Sequence, residues 1–315
     1  MNLGRLRRIT GLVLALMAVA WICVLFVNAV DDTEASLVPG SPVMFLLSFL
    51  FCAVGSLHNA ASFQILLSAQ KGKAVPFPVV FELFFTGQIV RYLPGRFWGV
   101  VYQYNAAKET VGAGPLVRSN IDLMVLSTTA ALLVSAALIL APIWSGIAVP
   151  GLLMVLFLII LVLFRNDYLL PVRKVSEKLL HEGSRIRSAI DGVSGRSLPA
   201  GKCLLLFIVT VSGWAFYILA WHFLLKSWAH TSGLDALQMC ATYTVSWLAG
   251  YLALITPGGI GIRELVFLET AGFVSNRNEL VLVSVIVRLW LMCVDVLLFL
   301  VFLGLGRFRA AKTKV

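Results

Sequence analysis

Long apolar runs dominate this sequence and exclude an ordinary soluble fold. Hydrophobic residues make up 60% of the 315 residues and charged residues make up 13%, whereas an average soluble protein is roughly 25% charged. Several runs reach about 20 residues with few charges, which is the length that an α-helix needs to cross a bilayer core. The pattern predicts an all-α polytopic integral membrane protein, because a β-barrel would show short alternating segments instead.

Six of these runs are unbroken, and two further apolar segments are interrupted by glycine and proline. The unbroken runs predict full membrane spans at about 11–30, 43–69, 120–141, 147–164, 203–225 and 280–304. The interrupted segments, at about 77–106 and 236–275, are each predicted to form a re-entrant helical hairpin, because proline breaks a helix and glycine permits a turn. Because the run 236–255 is long enough to cross the membrane by itself, a fold with a different number of crossings stays open.

The two interrupted segments share a skeleton in which six residues separate a glycine from a Pro-Gly pair. The residues that form the predicted breaks are Gly87, Pro94 and Gly95 in the first segment, and Gly250, Pro257, Gly258, Gly259 and Gly261 in the second. The skeleton predicts two half-repeats within one transmembrane domain, at about 43–141 and 203–304, with opposite orientations in the membrane. Inverted repeats with broken helices are typical of secondary transporters. The alternative is a chance match between two Pro-Gly pairs.

Basic residues determine the predicted orientation of the chain. Lys and Arg cluster near both termini and in the loop 165–202, so the positive-inside rule places the loop and both termini in the cytoplasm. Within 171–194, apolar residues interleave with Arg and Lys, which predicts a helix that lies on the cytoplasmic leaflet and contacts anionic headgroups. A docking surface for a partner enzyme is the alternative. Because this distribution accounts for the net charge of +10, no nucleic acid partner is expected.

Two arginines flank the Pro-Gly pair of the first interrupted segment. A helix that starts after such a break points its free N–H groups and positive dipole end into the membrane, which favours an anion such as a phosphate. Arg91 and Arg96 add bidentate donors that suit a phosphate, and they are the leading candidates for substrate binding, together with Gln88 and Trp98. The alternatives are that the arginines extend to the cytoplasmic interface and that Trp98 anchors there rather than stacking on a sugar.

The second interrupted segment and the last span carry further ionisable candidates for substrate binding. Arg263 and Glu264 follow the break, and Arg288 lies within the last span. A charged side chain at the bilayer centre costs roughly 2.5–3.5 kcal/mol unless it is paired or faces water. Glu264 is therefore predicted to pair with Arg91, Arg96 or Arg288. Such a pair could open and close as a gate, and the alternative is a static ion pair.

The remaining polar residues support no catalytic site. His58 and Asn59 interrupt the span 43–69 and either face a cavity that binds substrate or join helices by hydrogen bonds. Asp122 is placed at the membrane interface, near the start of its span. The cysteines and histidines form no metal-binding pattern, and no Walker A, Gly-x-Ser-x-Gly or His-Glu-x-x-His motif is present. No catalytic residue, metal or cofactor is predicted, and the protein is not expected to be an enzyme.

Two motifs resemble one known family. Leu93-Pro94-Gly95-Arg96 and the run Thr256–Glu264, which reads Thr-Pro-Gly-Gly-Ile-Gly-Ile-Arg-Glu, resemble the lysylphosphatidylglycerol synthase transmembrane family, also described as flippase-like. The resemblance covers roughly 10–305. Many members carry Pro-Gly-Arg-x-Gly-Glu-x-x-Arg at the first site, whereas here Phe97-Trp98-Gly99-Val100 and Gln103 replace the acidic and final basic positions. This variant resembles membrane proteins associated with cell-surface polysaccharide synthesis.

The resemblance implies the translocation, or flipping, of a phosphate-bearing lipid across the bacterial inner membrane. That lipid is expected to be a polyprenyl-phosphate-linked sugar or a phospholipid, carried by a stand-alone member without the synthase domain. The first alternative is a membrane accessory protein that recruits a cytoplasmic or membrane glycosyltransferase for polysaccharide synthesis. The second is an integral-membrane transferase that acts on a lipid-linked substrate, with Glu264 as its base. Membrane lipids with anionic headgroups are the expected partners.

Overall fold

The fold is all-helical throughout the part of the chain that the structure describes. The computed structural model describes residues 39–90, 98–107, 109–140, 148–171, 195–228, 231, 234–252, 261–273, 275 and 277–312. Within these residues nine helices are present and no strand. The helices are α1 Pro42–Lys71, α2 Phe77–Val90, α3 Trp98–Ala107, α4 Ala113–Leu140, α5 Ala148–Arg165, α6 Ala200–Lys226, α7 Ala236–Leu252, α8 Ile262–Ala271 and α9 Arg277–Lys312.

Four of these helices are long and apolar enough to cross a membrane. They are α1, α4, α6 and the Arg277–Phe302 part of α9, and α5 adds a shorter apolar helix. The prediction of a polytopic α-helical membrane protein is confirmed. The predicted span at 11–30 lies outside the described residues. Helix α4 begins at Ala113 rather than near residue 120, because the polar residues that suggested an interface are buried and paired inside the bundle.

Each interrupted segment forms two helices that pack against each other. In the first segment α2 contacts α3, and in the second α7 contacts α8. The predicted breaks at Pro94-Gly95 and at Pro257-Gly258-Gly259 lie outside the described residues. Each segment therefore has the two arms that a helical hairpin requires, and their re-entrant course remains a prediction.

The contacts between helices follow the same pattern in the two halves of the chain. Helices α1 and α6, which open the two predicted half-repeats, pack against each other. The first arm of each hairpin contacts the last helix of the other half, since α2 packs on α9 and α7 packs on α4. The second arm contacts the last helix of its own half, as α3 on α4 and α8 on α9. A pair of halves related by a twofold axis would produce this exchange, and the repeat itself stays a prediction.

Small residues set the closest approach between α1 and α6. A Cβ atom on Gly55 would lie 3.3 Å from the carbonyl oxygen of Gly213, and a Cβ atom on Gly213 would lie 2.9 Å from the Cβ atom of His58. Small residues at such crossings let two membrane helices pack closely. The large side chains that are fully buried, such as Phe63, Phe81 and Phe267, lie on α1, α2 and α8. The larger core cluster thus includes α2 and α8, one arm from each hairpin.

Candidate functional site

Helix α8 starts at a glycine that the backbone requires. Gly261 has a φ of 87°, a region that L-residues with a side chain rarely adopt. The side chain of Glu264 turns back, and its Oε2 accepts a hydrogen bond of 2.7 Å from the Gly261 N–H. A carboxylate at this position satisfies a free backbone donor and interacts favourably with the positive end of the helix dipole. The local sequence Gly-Ile-Arg-Glu therefore fixes where the second arm begins.

The other carboxylate oxygen of Glu264 joins the hairpin to the last span. Its Oε1 accepts a hydrogen bond from Nη1 of Arg288 on α9. Glu264 is buried, and the Arg288 side chain is 17% exposed. Of the three partners that the sequence allowed for Glu264, the structure shows Arg288. The other two, Arg91 and Arg96, lie outside the described residues.

Arg263 lies against the glycine that opens the skeleton of the second segment. A Cβ atom on Gly250 would lie 2.2 Å from Cγ of Arg263, so the arginine stem crosses α7 where that helix has no side chain. Arg263 also makes a side-chain hydrogen bond with Tyr243, whose buried ring packs against Trp221 and Phe267. The same tyrosine lies within the electrostatic reach of Glu264 and Arg288. These four groups form one cluster, which we call the hairpin-2 cluster: Tyr243, Arg263, Glu264 and Arg288.

The first hairpin has a comparable but uncharged arrangement. Buried Gln103 on α3 donates a hydrogen bond of 3.3 Å to the Leu83 carbonyl on α2 and accepts one of 2.7 Å from Asn120 on α4. Its side chain lies beside Gly87, where a Cβ atom would come within 2.7 Å of the amide nitrogen. Gln103 thus ties the second arm to the last helix of its half, as Glu264 does in the second hairpin. The sequence had marked Gln103 only as a departure from the family pattern.

The remaining predicted substrate-binding residues and the predicted hairpin-break residues are divided between described and undescribed parts of the chain. Gln88 is half-buried on α2, and Trp98 is the first residue of α3. The residues outside the described part are Arg91, Pro94, Gly95, Arg96, Pro257, Gly258 and Gly259. Predictions about the geometry of the first break therefore stay predictions.

His58 and Asn59 lie between α1 and α6. The Nδ1 atom of His58 lies 2.8 Å from the carbonyl oxygen of Val54, one turn earlier in α1. Asn59 donates a hydrogen bond of 3.3 Å to the Tyr217 hydroxyl, which also shares a hydrogen bond of 3.1 Å with Ser56. The bond of Asn59 favours the alternative in which this residue joins helices, because polar side chains between membrane helices bond to one another. The hydrogen bond of His58 stays within its own helix.

A buried polar network that sequence reasoning missed connects α1, α4 and the end of α5. Arg118 donates to Asp122 through Nε and to Asp167 through Nη1, each at 2.8 Å. Asp122 also accepts hydrogen bonds from Tyr168 at 2.7 Å and from Gln70 at 2.8 Å. The side chain of Asp122 is 0% exposed, so it is enclosed by the bundle, and its predicted place at the membrane interface stays a prediction. The Arg-x-x-x-Asp spacing was a usable signal, since residues four apart on a helix face each other.

The same network holds the chain on both sides of the basic segment 172–194, which lies outside the described residues. Before it, Asp167 pairs with Arg118. Burial, and to a smaller extent the nearby Asp122 carboxylate, raise the pKa of the Tyr168 hydroxyl. After it, the backbone N–H of Arg196 donates to the Gln70 side chain at 2.7 Å. Both ends of this segment are therefore fixed to the same end of the helix bundle.

The described residues offer little for metal chemistry. Among them, no group of three His, Cys, Asp or Glu side chains lies close enough to hold a metal ion. Cys52, Cys203 and Cys240 are buried free thiols, and Cys293 is an exposed free thiol. The guanidinium groups of the hairpin-2 cluster and the nearby backbone N–H of Gly261 are donors of the kind that bind anions.

Comparison with known proteins assigns the family. No curated protein matches this chain. The family model described as the lysylphosphatidylglycerol synthase TM region matches residues 8–299. The match includes both hairpins, the buried network and most of α9. The chain therefore belongs to the lysylphosphatidylglycerol synthase TM region family, as its two motifs predicted.

Proposed function

We propose that this protein translocates a phosphate-bearing lipid across the bacterial inner membrane. The family description names lysylphosphatidylglycerol, which is a phospholipid. A polyprenyl-phosphate-linked sugar carries the same kind of headgroup anion on a different tail. The proposal therefore specifies a lipid phosphate as the group that is recognised, and it includes both lipids as candidates.

The observation that carries the proposal is the ion pair between Glu264 and Arg288 within the transmembrane domain. Arg288 lies eleven residues after Arg277, the first residue of α9, which is about 16 Å along the helix axis. It is therefore far from the end of an apolar span of 26 residues. Ionisable residues at such depth are costly, and they mark substrate pathways in membrane proteins.

The groups around this pair suit a phosphate. Two guanidinium groups, those of Arg263 and Arg288, belong to the hairpin-2 cluster. The backbone N–H of Gly261, at the start of α8, bonds to Glu264 of the same cluster. Guanidinium groups bind phosphate through paired hydrogen bonds, and helix N-termini favour anions. In the proposed mechanism, Arg91 and Arg96 contribute the corresponding cations from the first hairpin. The lipid headgroup then passes between the two hairpins while its tail stays in the bilayer.

The proposed orientation places both termini and the basic segment in the cytoplasm. This follows from the distribution of Lys and Arg, which favours cytoplasmic loops. The network around Arg118 and Asp122 fixes both ends of the basic segment at one end of the bundle. In this orientation that end of the bundle faces the cytoplasm, where the segment meets anionic headgroups.

A sided lipid assay tests the proposal. Purified protein is reconstituted in liposomes with a fluorescent phospholipid or a fluorescent polyprenyl phosphate, and a membrane-impermeant quencher reports the fraction in the outer leaflet. We expect wild type to move at least one probe, and Arg91→Ala and Arg288→Gln to slow it by about tenfold or more, since each removes a cation. Arg277→Gln is the matched control, because Arg277 lies on the same helix and is 70% exposed. Folded wild type that moves neither probe would refute the proposal.

The accessory role is the alternative that the anchored basic segment favours. Under that role the segment recruits a glycosyltransferase, so replacing Arg185 and Arg187 with Gln abolishes function in cells while Arg91→Ala is mild. Under the translocator proposal, Arg91→Ala abolishes function and the replacement of Arg185 and Arg187 is mild. An assay in detergent, where sidedness is lost, distinguishes the transferase from the translocator. A transferase still makes product there, and Glu264→Gln stops it. A translocator makes no product in detergent.

A further inference from the structure

We propose that Glu264 is an internal counter-anion that occupies the place of the lipid phosphate, and that the incoming phosphate displaces it from Arg288. The identity of the ligand rests on the proposed function. The displacement itself concerns the hairpin-2 cluster alone, and binding measurements test it independently of transport.

The two oxygens of Glu264 use the two kinds of donor that a phosphate would use. Oε1 accepts from the Arg288 guanidinium, and Oε2 accepts from the Gly261 N–H at the start of α8. Guanidinium groups and helix N-termini are the usual partners of bound phosphate. A second anion at the same donors would be repelled by the carboxylate, and this repulsion is strong because the Arg288 and Glu264 side chains are only 17% and 11% exposed. The carboxylate and the phosphate are therefore alternatives at one site.

The other charged groups nearby do not replace Glu264 in this role. Helix α8 packs against α7 and α9. From α7 the group that faces the pair is Tyr243, and from α8 itself it is Arg263. Asp295 on α9 acts on Cys52 and Tyr217, toward α1 and α6. Of the acidic residues of α8, Glu264 bonds to Arg288 and Glu269 pairs with Arg277.

Displacement has a mechanical consequence for the hairpin. The same carboxylate joins α8 to α9 and caps the first turn of α8. When a phosphate takes its place, both bonds are lost together and the second arm is released from the last span. When Glu264 returns, it expels the phosphate and restores the link. Binding, hairpin movement and release are thereby coupled through one side chain.

The test measures binding in detergent, where transport plays no part. The probe is a short-chain phosphatidic acid, and diacylglycerol with the same chains is the reference ligand without a phosphate. Glu264→Gln keeps an oxygen that can accept the Gly261 N–H and removes the charge that competes with the probe. We expect this variant to bind phosphatidic acid about tenfold more tightly than wild type, with diacylglycerol binding unchanged.

Two further variants keep the result interpretable. Glu269→Gln removes a charge from the same helix, but Glu269 is 66% exposed in a surface pair with Arg277. The affinity of this variant for phosphatidic acid should therefore stay within about twofold of wild type. If Glu264→Gln alone fails to fold, the double variant Glu264→Gln with Arg288→Gln removes the unpaired cation. That variant should bind phosphatidic acid more weakly than wild type.

A distance measurement tests the release of the arm. Spin labels are placed at Leu265→Cys on α8 and Leu289→Cys on α9, which are 55% and 54% exposed, in a Cys293→Ser background. We expect phosphatidic acid to lengthen the label distance in the wild-type background. With Glu264→Gln, the distance should already be long without the probe.

Three results would overturn the inference. These are equal or weaker binding of phosphatidic acid by folded Glu264→Gln, wild-type affinity in the double variant, and a label distance that phosphatidic acid leaves unchanged. The proposed function fails by a different result, which is wild type that binds phosphatidic acid as expected and moves no lipid probe in liposomes.

Discussion

Gly87 on α2 and Gly99 on α3 touch through their backbones. A Cβ atom on Gly99 would lie 2.7 Å from the carbonyl oxygen of Gly87, which is closer than a carbon and an oxygen can approach without a shift of the backbone. The two arms of the first hairpin therefore cross where neither has a side chain. This crossing explains Gly99, whereas a Cβ atom on Gly87 would meet the side chain of Gln103.

Gly99→Ala should force the two arms apart. We expect a loss of about 1–3 kcal/mol in the free energy of unfolding, because overpacking at a close contact is relieved only by backbone movement. Thermal or denaturant unfolding in detergent micelles measures it. Gly151→Ala on α5 is the matched control, since nothing lies within 4 Å of its added Cβ, and it should be neutral or stabilising. Equal effects of the two substitutions would contradict the crossing.

The hairpin arms show what sequence patterns could predict of this fold. Apolar length predicted the helices, because a bilayer demands about 20 apolar residues for each crossing. Proline and glycine predicted where the two segments break. The exchange of arms between halves, with α2 on α9 and α7 on α4, was beyond these signals. It depends on contacts between residues that are distant in the sequence, and apolar periodicity does not encode them.

Gly250→Ala should act through Arg263 and not through the backbone. The added Cβ would lie 2.2 Å from Cγ of Arg263, so the arginine stem has to leave its place across α7. We expect a loss of about 1–3 kcal/mol in the free energy of unfolding. In an Arg263→Ala background the same substitution should cost less than about 0.5 kcal/mol, because the clashing atoms are gone. A double-mutant cycle in detergent measures both, and additive costs would refute the contact.

Asn59→Leu should affect stability more than transport. Asn59 donates to the Tyr217 hydroxyl between α1 and α6, and a hydrogen bond between membrane helices averages about 0.6 kcal/mol. We expect a loss of that order in the free energy of unfolding. The initial rate of lipid movement, normalised to folded protein, should stay within about twofold of wild type because this bond lies outside the hairpin-2 cluster. Tyr217→Phe removes the same bond from the other side and serves as the partner variant.

A much larger loss of transport with unchanged stability would instead place Asn59 in the substrate path. That outcome would restore the other interpretation of the sequence, in which His58 and Asn59 face a cavity. The two interpretations could not be separated from the sequence, because a polar residue within a span is compatible with both.

The pairing of ionisable residues shows where sequence reasoning about the site ended. The cost of a charge in the membrane predicted that Glu264 would have an arginine partner, and the structure shows Arg288 in that position. The same cost applied to Asp122, yet its position near the predicted start of a span suggested the interface. Its partners Gln70 and Tyr168 lie 52 and 46 residues away in the chain, so a local pattern could indicate the Arg118–Asp122 pair and not the rest of the network.

Arg118→Met should be the most destabilising substitution at this end of the bundle. Arg118 is 3% exposed and pairs with both Asp122 and Asp167, so its removal leaves buried carboxylate charge without a cation. Breaking a buried pair in this way costs about 3–5 kcal/mol. The free energy of unfolding in detergent measures the loss. Arg277→Met is the matched control, because Arg277 is 70% exposed and its pair with Glu269 spans 3.9 Å, where about 0–1 kcal/mol is expected.

The same variant should also loosen the basic segment, because Asp167 precedes that segment and loses its arginine partner. Protease cleavage within 172–194 should be faster in Arg118→Met than in Arg277→Met under conditions in which both variants are folded, since local opening exposes a cleavage site more often. Equal cleavage rates together with equal stabilities would show that the network does not fix the segment. A loss of stability without faster cleavage would restrict its role to packing α1 against α4.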